Sequence, residues 1–113
     1  MPRWLTTVLA RIRKLAAEEK VRVTLKAMRE LAALGLDVDD AVEIIAGLRD
    51  TDSAGRKVSE GTGEWLYVFK PNVGGMTAYL KLVLRTDCIV ISLHDDQEDD
   101  HDEQESQQDQ NKR

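Results

Sequence analysis

The sequence predicts an α+β fold: N-terminal helices packed on a small antiparallel sheet, followed by a disordered acidic C-terminal tail. Three observations predict it. Apolar residues recur at spacings of three and four through residues 5–48, the period of a helix with one buried stripe. Between Glu64 and His94 the pattern changes to alternation, the period of a strand. Four of the five aromatic residues fall in that stretch: Trp65, Tyr67, Phe69 and Tyr79. After His94 there is no apolar residue at all, so nothing offsets the entropy of ordering that segment. One domain over residues 1–94 and a tail over 95–113 follow.

The first helix is expected over residues 5–19, with Leu5, Val8, Leu9, Ile12, Leu15 and Ala16 on one stripe. Val21-Arg22-Val23 reads as a short edge strand. Thr24 is a plausible N-cap for a second helix, with Leu25, Met28, Leu31 and Ala32 facing inward. Gly35 followed by Leu36 suits a glycine C-cap with its apolar contact. Asp37 or Asp39 then caps a third helix, with Val38, Ala41, Val42, Ile45 and Leu48 inward. Residues 49–63 read as a polar loop with three glycines, carrying the adjacent cations Arg56 and Lys57.

Three strands come next. Pro71 and Gly74-Gly75 mark the first reversal. A four-residue loop over 72–75 places Lys70 opposite Thr77, Val68 opposite Tyr79 and Leu66 opposite Lys81, with Trp65, Tyr67 and Phe69 on the core side. If Thr86-Asp87 is a two-residue turn, Arg85 faces Cys88, Val83 faces Val90, Lys81 faces Ser92 and Tyr79 faces His94. Ala78, Leu80, Leu82 and Leu84 then share an apolar face with Ile89, Ile91 and Leu93. The other face gathers Tyr79, Lys81, Ser92 and His94.

The formal net charge of −5 hides a division. Residues 95–113 carry nine Asp/Glu against two Lys/Arg, while residues 1–94 carry twelve against fourteen. A slightly basic body therefore bears an acidic tail, and the body does not exclude nucleic acid as a partner. Cys88 is the only cysteine, which rules out an intramolecular disulfide or a multi-cysteine zinc site and suits a reducing compartment. No run is long enough to span a membrane, and no signal-peptide core is visible. A cytoplasmic location is expected, with no membrane partner.

The mixed sheet face suits acid–base chemistry on an anion. An imidazole can protonate a leaving group at neutral pH, the role open to His94. Lys81 and Arg56 or Lys57 can stabilise charge developing on a phosphate. Lys70 and Arg85, nearby on the strands, are candidate RNA contacts. RNA carries its own nucleophile, the 2′-hydroxyl, so neither a metal nor a cofactor is required. A satisfied surface histidine beside a structural tyrosine accounts for the same residues without any chemistry.

Resemblance to a known family adds to this. GLDVDDAVEIIAGL, the W-x-x-x-F-K-P run from Trp65 to Pro71, and AYLKLVLRTDCIVISL resemble the MqsR family, toxins of type II toxin–antitoxin systems in the RelE-like ribonuclease superfamily. The resemblance covers about residues 20–94. It implies metal-independent cleavage of single-stranded mRNA, inhibition of translation, and neutralisation by a cognate antitoxin, one with a DNA-binding domain. It also implies residue roles. The family's catalytic tyrosine falls on Tyr79, and the lysine two residues on matches Lys81. The strand lysine near the C-terminus falls on His94, and the loop lysine falls near Arg56 or Lys57. The family's glutamine after the tryptophan is Leu66 here. Two other outcomes stay open: a catalytically impaired toxin fold that keeps antitoxin binding, and a toxin acting on a protein target.

Overall fold

A computed structural model describes residues 1–98. Helix α1 spans Arg3–Ala17, strand β1 Val21–Val23, helix α2 Leu25–Ala33 and helix α3 Val38–Ala46. A 3-10 turn at Asp50–Asp52 leads into β2, Ser53–Val58. Then come β3, Trp65–Phe69; β4, Asn72–Val73; β5, Met76–Leu84; and β6, Cys88–Asp95, with a final 3-10 turn at Asp96–Glu98.

The helix ends are set by local chemistry. Thr24 Oγ1 accepts from Ala27 N at 3.1 Å, capping α2 as expected. Asp37, rather than Asp39, caps α3. Its carboxylate accepts from Asp40 N at 3.0 Å, and Asp40 returns the bond to Asp37 N at 2.9 Å. Gly35, at φ +76°, ends α2. Leu36 N reaches Leu31 O and Gly35 N reaches Ala32 O, the paired closing bonds of a glycine C-cap.

The α+β class holds, but the sheet is mixed rather than wholly antiparallel. Its order is β1-β6-β5-β3-β2, with β4 paired to β5. β1 runs parallel to β6, Val21 opposite Cys88, and the other pairs are antiparallel. The core lies between the helices and one sheet face. Leu5, Leu9 and Ile12 of α1, Leu31 of α2 and Ile45 of α3 are buried in one cluster with Phe69, Leu80, Leu82, Val90 and Leu93.

Several expectations need correction. Residues 53–58 are not loop but an edge strand paired to β3, with Arg56 opposite Tyr67 and Lys57 opposite Leu66. Helix α2 buries Ala27 and Leu31, leaving Leu25 and Met28 exposed; small Ala27 lets the helix lie close to the sheet. The turn before β5 is two residues, 74–75, rather than the four expected over 72–75. Gly74-Gly75, both at positive φ, make a tight turn between β4 and β5. Val68 therefore faces Lys81 and Tyr67 faces Leu82. A shift of two preserves the facing of each side chain, so Tyr67 and Phe69 are core as expected, though Trp65, at the strand end, is exposed.

The β5–β6 register is half as expected. Tyr79 faces His94 and Lys81 faces Ser92, but beyond these the register slips, with Leu82 opposite Val90 and Leu84 opposite Cys88. The turn has three residues, 85–87, and Ile91 is the extra residue of a bulge. Cys88 and Val90 are therefore buried in the core, and Ile89 and Ile91 are half-exposed instead. Finally, β6 runs on through Asp95 and the turn at Asp96–Glu98 packs against β5. The described residues thus run four positions past the boundary expected at residue 94, and the rest of the predicted acidic tail lies outside them.

Phe69 is fully buried at the centre of this core. Phe69→Ala should lower unfolding free energy by about 3–5 kcal/mol, seen as a lower urea midpoint with little change in the denaturant slope.

Candidate active site

The outer sheet face, away from the helices, brings together most of the residues singled out from the sequence. Tyr79 and His94 are directly opposed on β5 and β6, their rings stacked with centroids 5.1 Å apart and planes 17° apart. His94 Nδ1 lies 2.8 Å from Asp95 O. A carbonyl only accepts, so Nδ1 carries the hydrogen of that bond. The His94 side is the covered side of the stack: the residue is 4% exposed, whereas Tyr79 is half-exposed. Next along, Lys81 faces Ser92, both buried, at 8% and 0% exposure.

Lys57 and Lys70 are exposed beside this pair. A depression of about 240 Å³ is lined by Ala54, Arg56, Lys57, Val68, Lys70 and Tyr79. Lys70 Nζ sits 3.4 Å from Asp96 Oδ1, an ion pair at the rim. Leu66 is half-buried opposite Lys57. The position where the family pattern has glutamine thus adds an apolar wall next to a cation.

Two predicted cations are engaged elsewhere. The Arg56 guanidinium lies over the rings of Trp4, at 4.6 Å, and Trp65, at 3.9 Å. Neighbours on a strand point to opposite faces, so Lys57, opposite Leu66, lies on the sheet face of Tyr79, while Arg56, opposite Tyr67, reaches the same depression from its edge. Arg85 makes a bidentate pair with Glu64, both contacts at 2.8 Å. It stands six residues from Tyr79 along β5, about 20 Å at strand rise. Its expected contact with RNA at this site is therefore not supported by its place in the fold.

Sequence reasoning missed Lys26 and Glu30 on α2. Lys26 Nζ donates to Ser92 Oγ at 2.7 Å and to Glu30 Oε2 at 3.1 Å. Glu30 Oε1 accepts from Leu93 N at 2.8 Å. Their four-residue spacing was a visible signal of a helical ion pair, but nothing in the sequence tied it to β6.

A family model described as motility quorum-sensing regulator, toxin of MqsA, matches residues 6–95. The chain is also 30% identical over 89 residues to the mRNA interferase toxin MqsR of Escherichia coli (strain K12), which covers 77% of this chain and 90% of that protein. The chain belongs to the MqsR toxin family. The family description pairs such toxins with MqsA, so an antitoxin partner is part of what membership means. Among the described residues, no helix is long and apolar enough to cross a membrane.

The pairing with Arg85 holds the Glu64 carboxyl down at about 2. Burial alone pushes the Cys88 thiol up to about 12, so it is an inert core residue. A depressed carboxyl adds stability that is complete above its unfolded value, near 4.5, and is lost as pH falls through about 2. Carboxyl NMR should show Glu64 titrating near 2 in the parent protein and within the ordinary carboxylate range in Arg85→Gln.

Proposed function

We propose that this MqsR-family toxin is a metal-independent endoribonuclease that cleaves single-stranded mRNA and so inhibits translation. The observation that carries the reading is the placement of a half-exposed Tyr79 on the face of Lys81, with Lys57 and Lys70 beside it. A phosphodiester laid across this face meets a phenol and several ammonium groups. The 2′-oxygen bonds to phosphorus as the bond to the 5′-oxygen breaks. Water takes the proton of the attacking 2′-hydroxyl, the Tyr79 phenol gives its proton to the leaving 5′-oxygen, and the phenolate then recovers a proton from water. Exposed Lys57 and Lys70 stabilise the charge that builds on the phosphorane, and Lys81, buried beside Tyr79 on the same face, adds its positive charge from within the sheet.

The sequence suggested His94 as general acid. Its ring is covered by Tyr79 and has almost no exposed surface, so a leaving oxygen reaches the phenol first. In this reading His94 is a positioning residue that holds the Tyr79 ring from beneath. The antitoxin partner, whose DNA-binding domain would tie toxin neutralisation to transcription, is supported by the MqsA of the family description.

A second reading has one observation in its favour. Leu66 opposite Lys57 leaves an apolar group where the family pattern has glutamine, which suits a toxin fold that binds its antitoxin without cutting RNA. Expression in a host lacking the antitoxin separates the two, because only the active toxin arrests growth with loss of mRNA. Growth arrest with intact mRNA would instead indicate a protein target.

On a single-stranded RNA substrate in EDTA, the parent protein should cleave unimpaired. Tyr79→Phe should lower kcat by about 10²–10⁴, the usual range for a lost proton-transfer group. His94→Phe, which keeps a ring under Tyr79 but no proton, should stay within about tenfold of the parent. A loss in His94→Phe as large as that of Tyr79→Phe returns the acid role to His94. Abolition by EDTA removes the mechanism.

A further inference from the structure

Four consecutive residues of β6 are held from α2. Thr24 N donates to Val90 O at 3.1 Å, and Thr24 Oγ1 donates to Ile91 O at 3.4 Å. Lys26 Nζ donates to Ser92 Oγ, and Leu93 N donates to Glu30 Oε1. These are the residues across which the β5–β6 register slips. β1 pairs with β6 over residues 88–90, and among the described residues no strand pairs with the outer edge of β6 beyond Val90. Side chains of α2 take over there.

The bulge has a consequence for the outer face. With strict alternation, Cys88 and Val90 would share a face with Ser92 and His94. The extra residue lets Cys88 and Val90 enter the core while Ser92 and His94 face Lys81 and Tyr79. Bulges of this kind re-aim side chains beside functional sites. The Glu30 carboxylate is the hub of the restraint, joining the Leu93 amide, one residue before His94, to the Lys26 ammonium that fixes Ser92.

We propose that Glu30 and Lys26 form a clamp that holds the β6 bulge in register, making them positioning residues for the Tyr79–His94 stack and for Lys81. The proposal rests on the ribonuclease reading of that face. Glu30 is largely shielded, with 16% of its side chain exposed. Its loss therefore frees a backbone amide and releases Lys26 together, and β6 can then relax its register without unfolding the core.

The test compares Glu30→Ala, Glu30→Gln and Lys26→Met with the parent chain. Turnover on single-stranded RNA is measured alongside the NMR shifts of the His94 ring protons, which sense the Tyr79 ring stacked on them. Glu30→Ala should lower kcat by about 10- to 100-fold, the scale of a small misplacement of reacting groups, with KM changed less than about threefold. The His94 signals should move toward unstacked positions. Glu30→Gln keeps an acceptor for Leu93 N and should recover at least part of both. Lys26→Met should fall between them. Should Glu30→Ala fail to fold, Glu30→Gln and Lys26→Met carry the comparison. Unmoved His94 signals in the folded variants, or full kcat in Glu30→Ala, overturn the clamp. Absence of cleavage by the parent chain counts against the ribonuclease reading alone, since the His94 shifts then still decide for or against the clamp.

Discussion

The registration of β6 against β5 is the constraint on which the rest of this molecule depends. A strand has two faces and this one must serve both. Cys88, Val90 and Leu93 belong to the core, while Ser92 and His94 belong to the outer face. Strict alternation cannot satisfy that list, because Val90 and Ser92 have the same parity. One extra residue, Ile91, changes the parity mid-strand. The sheet thereby keeps a closed core toward the helices and presents Tyr79, Lys81 and their partners on the other side. Burial of large apolar residues, about 1.5–3 kcal/mol each, enforces the arrangement on both sides of the bulge.

Charge is distributed with similar economy. Cations occur along the whole body, but many are already engaged. Arg85 is committed to Glu64, Arg56 lies over two indoles, and Arg13 donates to Leu48 O at 2.9 Å. These contacts fix the ends of the sheet and the packing of α1. The lysines around Tyr79 are compact point charges on flexible stems that suit a phosphate whose charge shifts during reaction. At the same rim Asp96 pairs with Lys70, and the chain continues from there into its acidic C-terminal stretch.

Much of the fold was legible because burial writes a period into the sequence. The stripe of α1, the caps at Thr24 and Asp37, and the facing of β3 and β5 could all be read from residue spacing. Tyr79 opposes His94 as expected because two departures offset each other: the turn takes in residue 85 as well, and the extra residue Ile91 restores the register beyond it. What could not be read has physical reasons. Ser-Ala-Gly-Arg-Lys-Val carries no alternation because β2 is an edge strand with little of its surface buried. The bulge at Ile91 is invisible in a run of Cys-Ile-Val-Ile, where either parity looks apolar. Helix α2 turns a small residue, Ala27, into the core, and hydrophobicity alone favoured its larger neighbours. The roles of Lys26 and Glu30 depend on tertiary contacts with β6 more than sixty positions away.

If the Tyr79 face cuts RNA by attack of the 2′-hydroxyl on its own phosphate, the ends of the cleaved fragments carry the record of that attack. Purified protein incubated with a defined single-stranded RNA should yield fragments ending in a 2′,3′-cyclic phosphate, with 5′-hydroxyl ends on their partners. Fragments with 3′-hydroxyl and 5′-phosphate ends would mean that water or another nucleophile attacks, and would contradict the account.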